Sequence, residues 1–191
     1  VENHTWGITH QEAVELMERY LEADGMRKHS LASEAIMRAL APRFEADPEM
    51  WGLVGLLHDI DYNQTKDRID QHTLLTEKIL VEQGVHPDVA DAIKYHNAEN
   101  LGLVRSKPIH YAITAAETIT GLIVATTLVY PDKKIASVKP KSVTKRMKAK
   151  EFARAVRREH IRMCEEMGIP LEEFVQISLD AMRGISDQLG L

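Results

Sequence analysis

Between Trp51 and Leu57 the chain reads Trp-Gly-Leu-Val-Gly-Leu-Leu, and His58-Asp59 follow at once. Asp47-Pro48, just upstream, is an N-cap residue followed by proline at the first helical position. The segment is therefore expected to be helical, and a helix apolar on almost every side has to lie in the middle of a fold. Its burial carries the terminal carboxylate inward. A buried carboxylate is costly unless a cation compensates it. One helix thus demands both a core around it and a positive charge at its end.

Helix signals recur along the rest of the chain. Thr9 and Glu12 form a capping-box pattern opening a helix that carries Val14, Met17 and Leu21 and stops near Gly25. A second helix is expected over about residues 27–44, with Ala32, Ile36 and Leu40 at helical spacing. Residues 61–70 are polar and non-periodic, a loop of the kind that often carries function. Further helices are expected over 71–83, 87–97 and 108–130. After a loop containing Pro140 come two more, over about 148–167 and from Pro170 to about 189. No period-2 strand pattern of useful length breaks this series, so the expected fold class is all-α.

Composition narrows the functional classes. With 191 residues, 44% of them apolar, the chain can bury a sizeable core. Cys164 is the single cysteine, which excludes an internal disulfide framework. The polar start shows no secretory pattern. The weakly polar run from Ile109 to Tyr130 is long enough to span a bilayer but contains His110, Glu117 and five threonines, and a central carboxylate is expensive in lipid. A cytoplasmic protein without a membrane segment is the expectation. Between Lys133 and Arg162 stand twelve Lys/Arg against Glu151 and Glu159. Such a block can attract nucleic acid or another polyanion, or can simply be a solvated helix face.

No phosphate-binding glycine loop, dinucleotide fingerprint or serine-nucleophile elbow is present. His160 and Cys164 lie four apart, a spacing that without further thiols or an aimed carboxylate carries no metal-site argument. Other histidines fall on apolar faces: His29 with Ala32 and Ile36, His72 before Leu75 and Ile79, His96 after Val89 and Ile93. Any one of them could be a core histidine satisfied by one or two hydrogen bonds. Glu117 is the only acid between Pro108 and Tyr130. Together with His58-Asp59 they make a set of nitrogen and oxygen donors suited to Fe, Mn, Zn or similar ions, large enough for two.

The residues K-H-S at 28–30, H-D-I-D at 58–61, H-T at 72–73, H-N at 96–97 and A-A-E-T at 115–118 resemble the HD superfamily of HDIG type. That resemblance implies a helical, metal-dependent phosphohydrolase with the ordered signature His…His-Asp…Asp. It implies that His29, His58 and Asp59 bind a first metal and that His72 and His96 hold a second, with Asp59 bridging. The final signature aspartate is Glu117 here, one methylene longer. Asp61 stands where glycine is usual and is read as loop variation. The implied organisation is a metal-binding helical domain over residues 1–130 and a basic helical extension over 131–191 packed on it.

Three functions follow as expectations. The first is hydrolysis of a phosphate ester or anhydride, with one or two divalent ions (Fe, Mn, Ni, Co or Zn), His58 and Asp59 at the catalytic centre and a small phosphorylated, nucleotide-type substrate. Lys66, seven residues after Asp59, is the first candidate for a phosphate contact, and Arg105 a weaker one. The second is a di-iron oxygenase, which some HD-fold proteins with such a ligand set resemble. The third is a regulatory module with a weakened site, acting through the basic block from Lys133 to Arg162.

Overall fold

The computed structural model describes residues 5–191, and its elements are helices and turns, with no strand among the described residues. The fold is all-α. Its helices are α1 (His10–Tyr20), α2 (Asp24–Leu40), α3 (Pro48–Leu57), α4 (Tyr62–Thr65), α5 (Leu74–Glu82), α6 (Pro87–Ile93), α7 (Ala98–Leu101), α8 (Pro108–Leu128), α9 (Pro140–Lys148), α10 (Arg158–Ile161), α11 (Leu171–Arg183) and α12 (Ser186–Leu189).

The start signals have their physical counterparts. Thr9 accepts the Glu12 backbone N–H, and the Glu12 carboxylate accepts that of Thr9. Asp47 caps α3 through the Glu49 N–H, with Pro48 at the first position. The apolar helix is central as its composition requires: every residue from Trp51 to Leu57 is buried. Its closest neighbour is α2, and Gly55 is the reason the two approach so tightly. A Cβ there would lie 2.7 Å from the Ser33 carbonyl oxygen on α2. The close crossing aligns His58, at the end of α3, with His29 on α2.

α8 passes through the same core and packs on α2, α3, α6 and α11. It is long and apolar enough to cross a membrane by length and composition, yet most of it is buried inside this bundle. Its threonines satisfy themselves along the helix, Thr126 donating to Leu122 O and Thr127 to Ile123 O.

The C-terminal third departs from expectation. Pro140 opens helix α9 instead of sitting in a loop, as a proline at the first helical position does. The expected helix over 148–167 does not form as one piece. Residues 149–157 are mostly turns, followed by α10 and a 3-10 segment, Arg162–Met167. The reason is Arg158. Its guanidinium donates to the backbone carbonyls of Arg146, Ala149, Phe152, Ala153 and Val156, which a regular helix would have used internally.

Candidate metal centre

Helices α2, α3 and α8 bring His29, His58, Asp59 and Glu117 together from inside the bundle. His72 reaches the same point from the turn before α5, and His96 from the 3-10 segment after α6. The six side chains expected to be ligands meet around one carboxylate. Asp59 Oδ2 lies 3.4 Å from His58 Nε2 and 3.5 Å from His29 Nε2. Its other oxygen, Oδ1, lies 3.2 Å from His72 Nε2 and 3.4 Å from His96 Nε2. Glu117 Oε2 stands 3.9 Å from His29 Nε2, on the Oδ2 side. Ligand atoms of His29, His58 and Glu117, and of His58, Asp59 and His96, fall within 4.8 Å of one another.

The hydrogen bonds at the back of each ring define what its front can do. His58 Nδ1 donates to Gly55 O at 2.7 Å and His96 Nδ1 to Ile93 O at 2.7 Å, since a carbonyl can only accept. His72 Nδ1 faces the Asp61 carboxylate at 2.7 Å. His29 Nδ1 meets Thr120 Oγ1 at 2.9 Å; that hydroxyl already gives its proton to Glu117 O, so the imidazole is the donor. With all four protons at Nδ1, each neutral ring turns an Nε2 lone pair inward. These lone pairs face one another: 3.1 Å separates His29 from His58, and 2.9 Å separates His72 from His96. Lone pairs at that distance repel unless a cation lies between or beside them.

Electrostatics describe the same demand. Burial, with His58 close by, brings His29 down to about 4. Burial also brings His96 down to about 4, overriding its hydrogen bond to Asp59. Burial works against a charged His72, but hydrogen bonds to Asp59 and Asp61 lift it to about 9. His58 rises as well, against its burial, because Asp59 is adjacent. The His72–His96 pair therefore keeps a proton where a metal could take its place, and the raised His58 biases its pair with His29 the same way. Burial pushes Glu117 up to about 7, with the Asp59 charge adding to the effect. Asp59 itself resists burial and stays well below the usual carboxylate range through the histidines around it. This donor set, oriented from behind, fits a divalent transition metal.

Asp61 is the residue that the loop-variation reading misplaces. It is fully buried, orients His72, and accepts the backbone N–H groups of Thr73 at 2.7 Å and Thr76 at 3.0 Å. It thereby caps α5 from another element. Thr73 pays with a left-handed backbone, φ 76°, unusual for a β-branched residue. Asn97 supports the same side, donating from one amide to Ile69 O and His72 O. The signal for Asp61 was a second aspartate two residues after the first, directly following a wholly apolar helix.

A cavity of about 530 Å³ opens over these residues, and Lys66 lines it from its exposed position. Arg105 does not line it. Its guanidinium is bound to both carboxylate oxygens of Glu99 and to Thr114. Cys164 is buried and its thiol is pushed up to about 12, chiefly by burial, which removes it as a thiolate ligand. His160, by contrast, lines the cavity.

A helical bundle with a histidine–aspartate cluster beneath an open cavity fits a divalent metal site. The family model described as "HD domain" matches residues 26–125, more than half of the chain, and the chain belongs to the HD domain family. Members are typically metal-dependent phosphohydrolases. Comparison with curated proteins returned no match.

Proposed function

We propose that the chain is a metal-dependent phosphohydrolase acting on a phosphate ester or anhydride of a nucleotide-type substrate. The observation that carries this reading is the convergence of four Nε2 lone pairs on the two oxygens of Asp59, beneath a cavity of about 530 Å³. His29, His58, Glu117 and one Asp59 oxygen would hold one ion; His72, His96 and the other oxygen would hold a second. Such ions lower the pKa of water towards neutrality and neutralise charge on phosphoryl oxygens. The chain's own residues do the remaining work. Asp61, Gly55 O, Ile93 O and Thr120 keep each imidazole in the tautomer that presents Nε2. Lys66, which is exposed, and Arg157, which is paired with Glu159, both line the cavity and would supply positive charge to a phosphate entering it.

The test is to load the purified protein anaerobically with Mn, Fe, Co, Ni or Zn and screen phosphorylated metabolites for release of phosphate. Hydrolysis that chelation abolishes supports the reading. No hydrolysis of any phosphorylated compound, together with oxygen consumption by the iron-loaded protein, would replace it with the oxygenase reading.

A further inference from the structure

The cavity over the metal centre has a wall that the family match does not contain. Ala155, Val156, Arg157 and His160 line it, although the match ends at residue 125. The wall is built into the fold. Arg158 ties the preceding turns together through five backbone carbonyls, and Val156 sits against α8, where a Cβ at Gly121 would come within 3.2 Å of it.

His160 is the unsatisfied member of this wall. The residue is only 5% exposed, and its Nε2 is buried without a hydrogen-bond partner. Its nearest carboxylate oxygen, Glu99 Oε1, stands at 3.6 Å, beyond hydrogen-bond length, and is already occupied by Arg105. A buried imidazole nitrogen left in this state is expensive; the ring itself lines the cavity, so a ligand entering there would complete its bonding by drawing Nε2 into the opening. Asn100, exposed, lines the same cavity and uses its amide nitrogen on Asn97 Oδ1. Tyr62 and Ile69, large apolar residues 39% and 51% exposed, also line the cavity. The opening therefore combines apolar surface with hydrogen-bonding groups above the metal centre. A planar heterocycle has that pattern, apolar on its faces and polar at its rim.

We propose that residues 155–160 form the specificity wall of the site, with His160 and Asn100 hydrogen-bonding the polar edge of a nucleoside whose phosphate reaches the metal centre between Lys66 and Arg157. This rests on the phosphohydrolase reading for the position of the phosphate, while the wall itself rests on His160. Its role is substrate recognition: His160 belongs to the specificity of the site and not to its metal set.

The test compares wild type with His160→Ala, His160→Gln and Asn100→Ala, all loaded with the same metal, on nucleoside monophosphates and on p-nitrophenyl phosphate, whose leaving group lacks a comparable polar edge. The expected result is a fall of about tenfold in the ratio of kcat/KM for the nucleotide to that for p-nitrophenyl phosphate in His160→Ala, carried by KM, as loss of a hydrogen bond to a neutral group implies. His160→Gln should recover much of the ratio, and Asn100→Ala should lower it less. An unchanged ratio, or an equal loss on both substrates, overturns the proposal. Should His160→Ala fail to fold, the exposed Asn100→Ala decides alone. Nucleotide binding, followed by calorimetry on the metal-loaded protein, separates the two readings. Binding that weakens about tenfold in His160→Ala without any hydrolysis sustains the wall and removes the phosphohydrolase; no nucleotide binding by wild type removes the wall and leaves metal uptake untouched.

Discussion

The two sides of Asp59 are built differently. On the Oδ2 side, His29 and Glu117 project from the long helices α2 and α8, and His58 ends α3; their supports are a backbone carbonyl and a threonine inside the bundle. On the Oδ1 side, His72 and His96 come from a turn and a 3-10 segment, and no long helix fixes either. Polar groups do that work instead: Asp61 holds His72, Asn97 ties the turn, and Thr73 adopts a left-handed backbone to fit. A side set by helix packing can lose one polar contact and keep its geometry. A side set by a buried carboxylate cannot. The second position should therefore be the more easily emptied.

Asp59→Ala should produce the largest effect, because it removes the carboxylate that both sides share. Metal content and hydrolysis should fall together to background, while far-UV circular dichroism keeps its helical signal, since α3 is held by Trp51, Val54 and Leu57. Metal binding equal to the parent's would break the comparison at its centre.

Asp61→Asn should come next and fall on one side. Groups that orient a ligating histidine typically contribute about 10–100-fold to metal affinity or activity. The loss should be confined to one equivalent of metal, with the His29–His58 side still filled. A uniform loss would mean that the two sides are not independent.

Much of the helix-built side could be read from the sequence. The apolar run ending in His58-Asp59 required a buried helix, and His29 fell on an apolar face with Ala32 and Ile36. The polar-built side was harder. His72 and His96 follow from the resemblance more than from pattern, and Asp61 reads as a loop substitution in the sequence because its role depends on a turn that brings residue 72 back over residue 61. The same limit applies at the C-terminus. Nothing local in residues 148–167 announces that the Arg158 side chain will take five carbonyls and break a helix, or that His160 will then face the cavity. Helical periodicity reports contacts three and four residues apart; these contacts close over longer, irregular paths.

A pH series sharpens the contrast between the sides. Without metal, His72 titrates at about 9 with its Nδ1 committed to Asp61, so below that pH a proton occupies the nitrogen that the ion needs. Apparent affinity on the Oδ1 side should rise by about tenfold per pH unit from neutrality towards 9 and then level off, with protons released to the buffer as metal binds. Calorimetry in buffers of different ionisation enthalpy measures that release. Affinity independent of pH in this range would contradict the assignment of His72.

The smallest effects belong to Glu117. Glu117→Gln deletes a negative charge on the Oδ2 side and should weaken binding there; Glu117→Asp keeps the charge and should be milder, with its shorter arm reaching from the same position on α8. Parallel metal titrations of the two variants check the order. If both behave like the parent, Glu117 lies outside the set of ligands.

The most direct test is a calorimetric titration of metal-free wild type and Asp61→Asn with one divalent metal. Wild type should bind two equivalents of unequal affinity, and Asp61→Asn should keep the tighter and lose the weaker. A single equivalent in wild type, or the loss of both in Asp61→Asn, would contradict a centre divided between the two oxygens of Asp59.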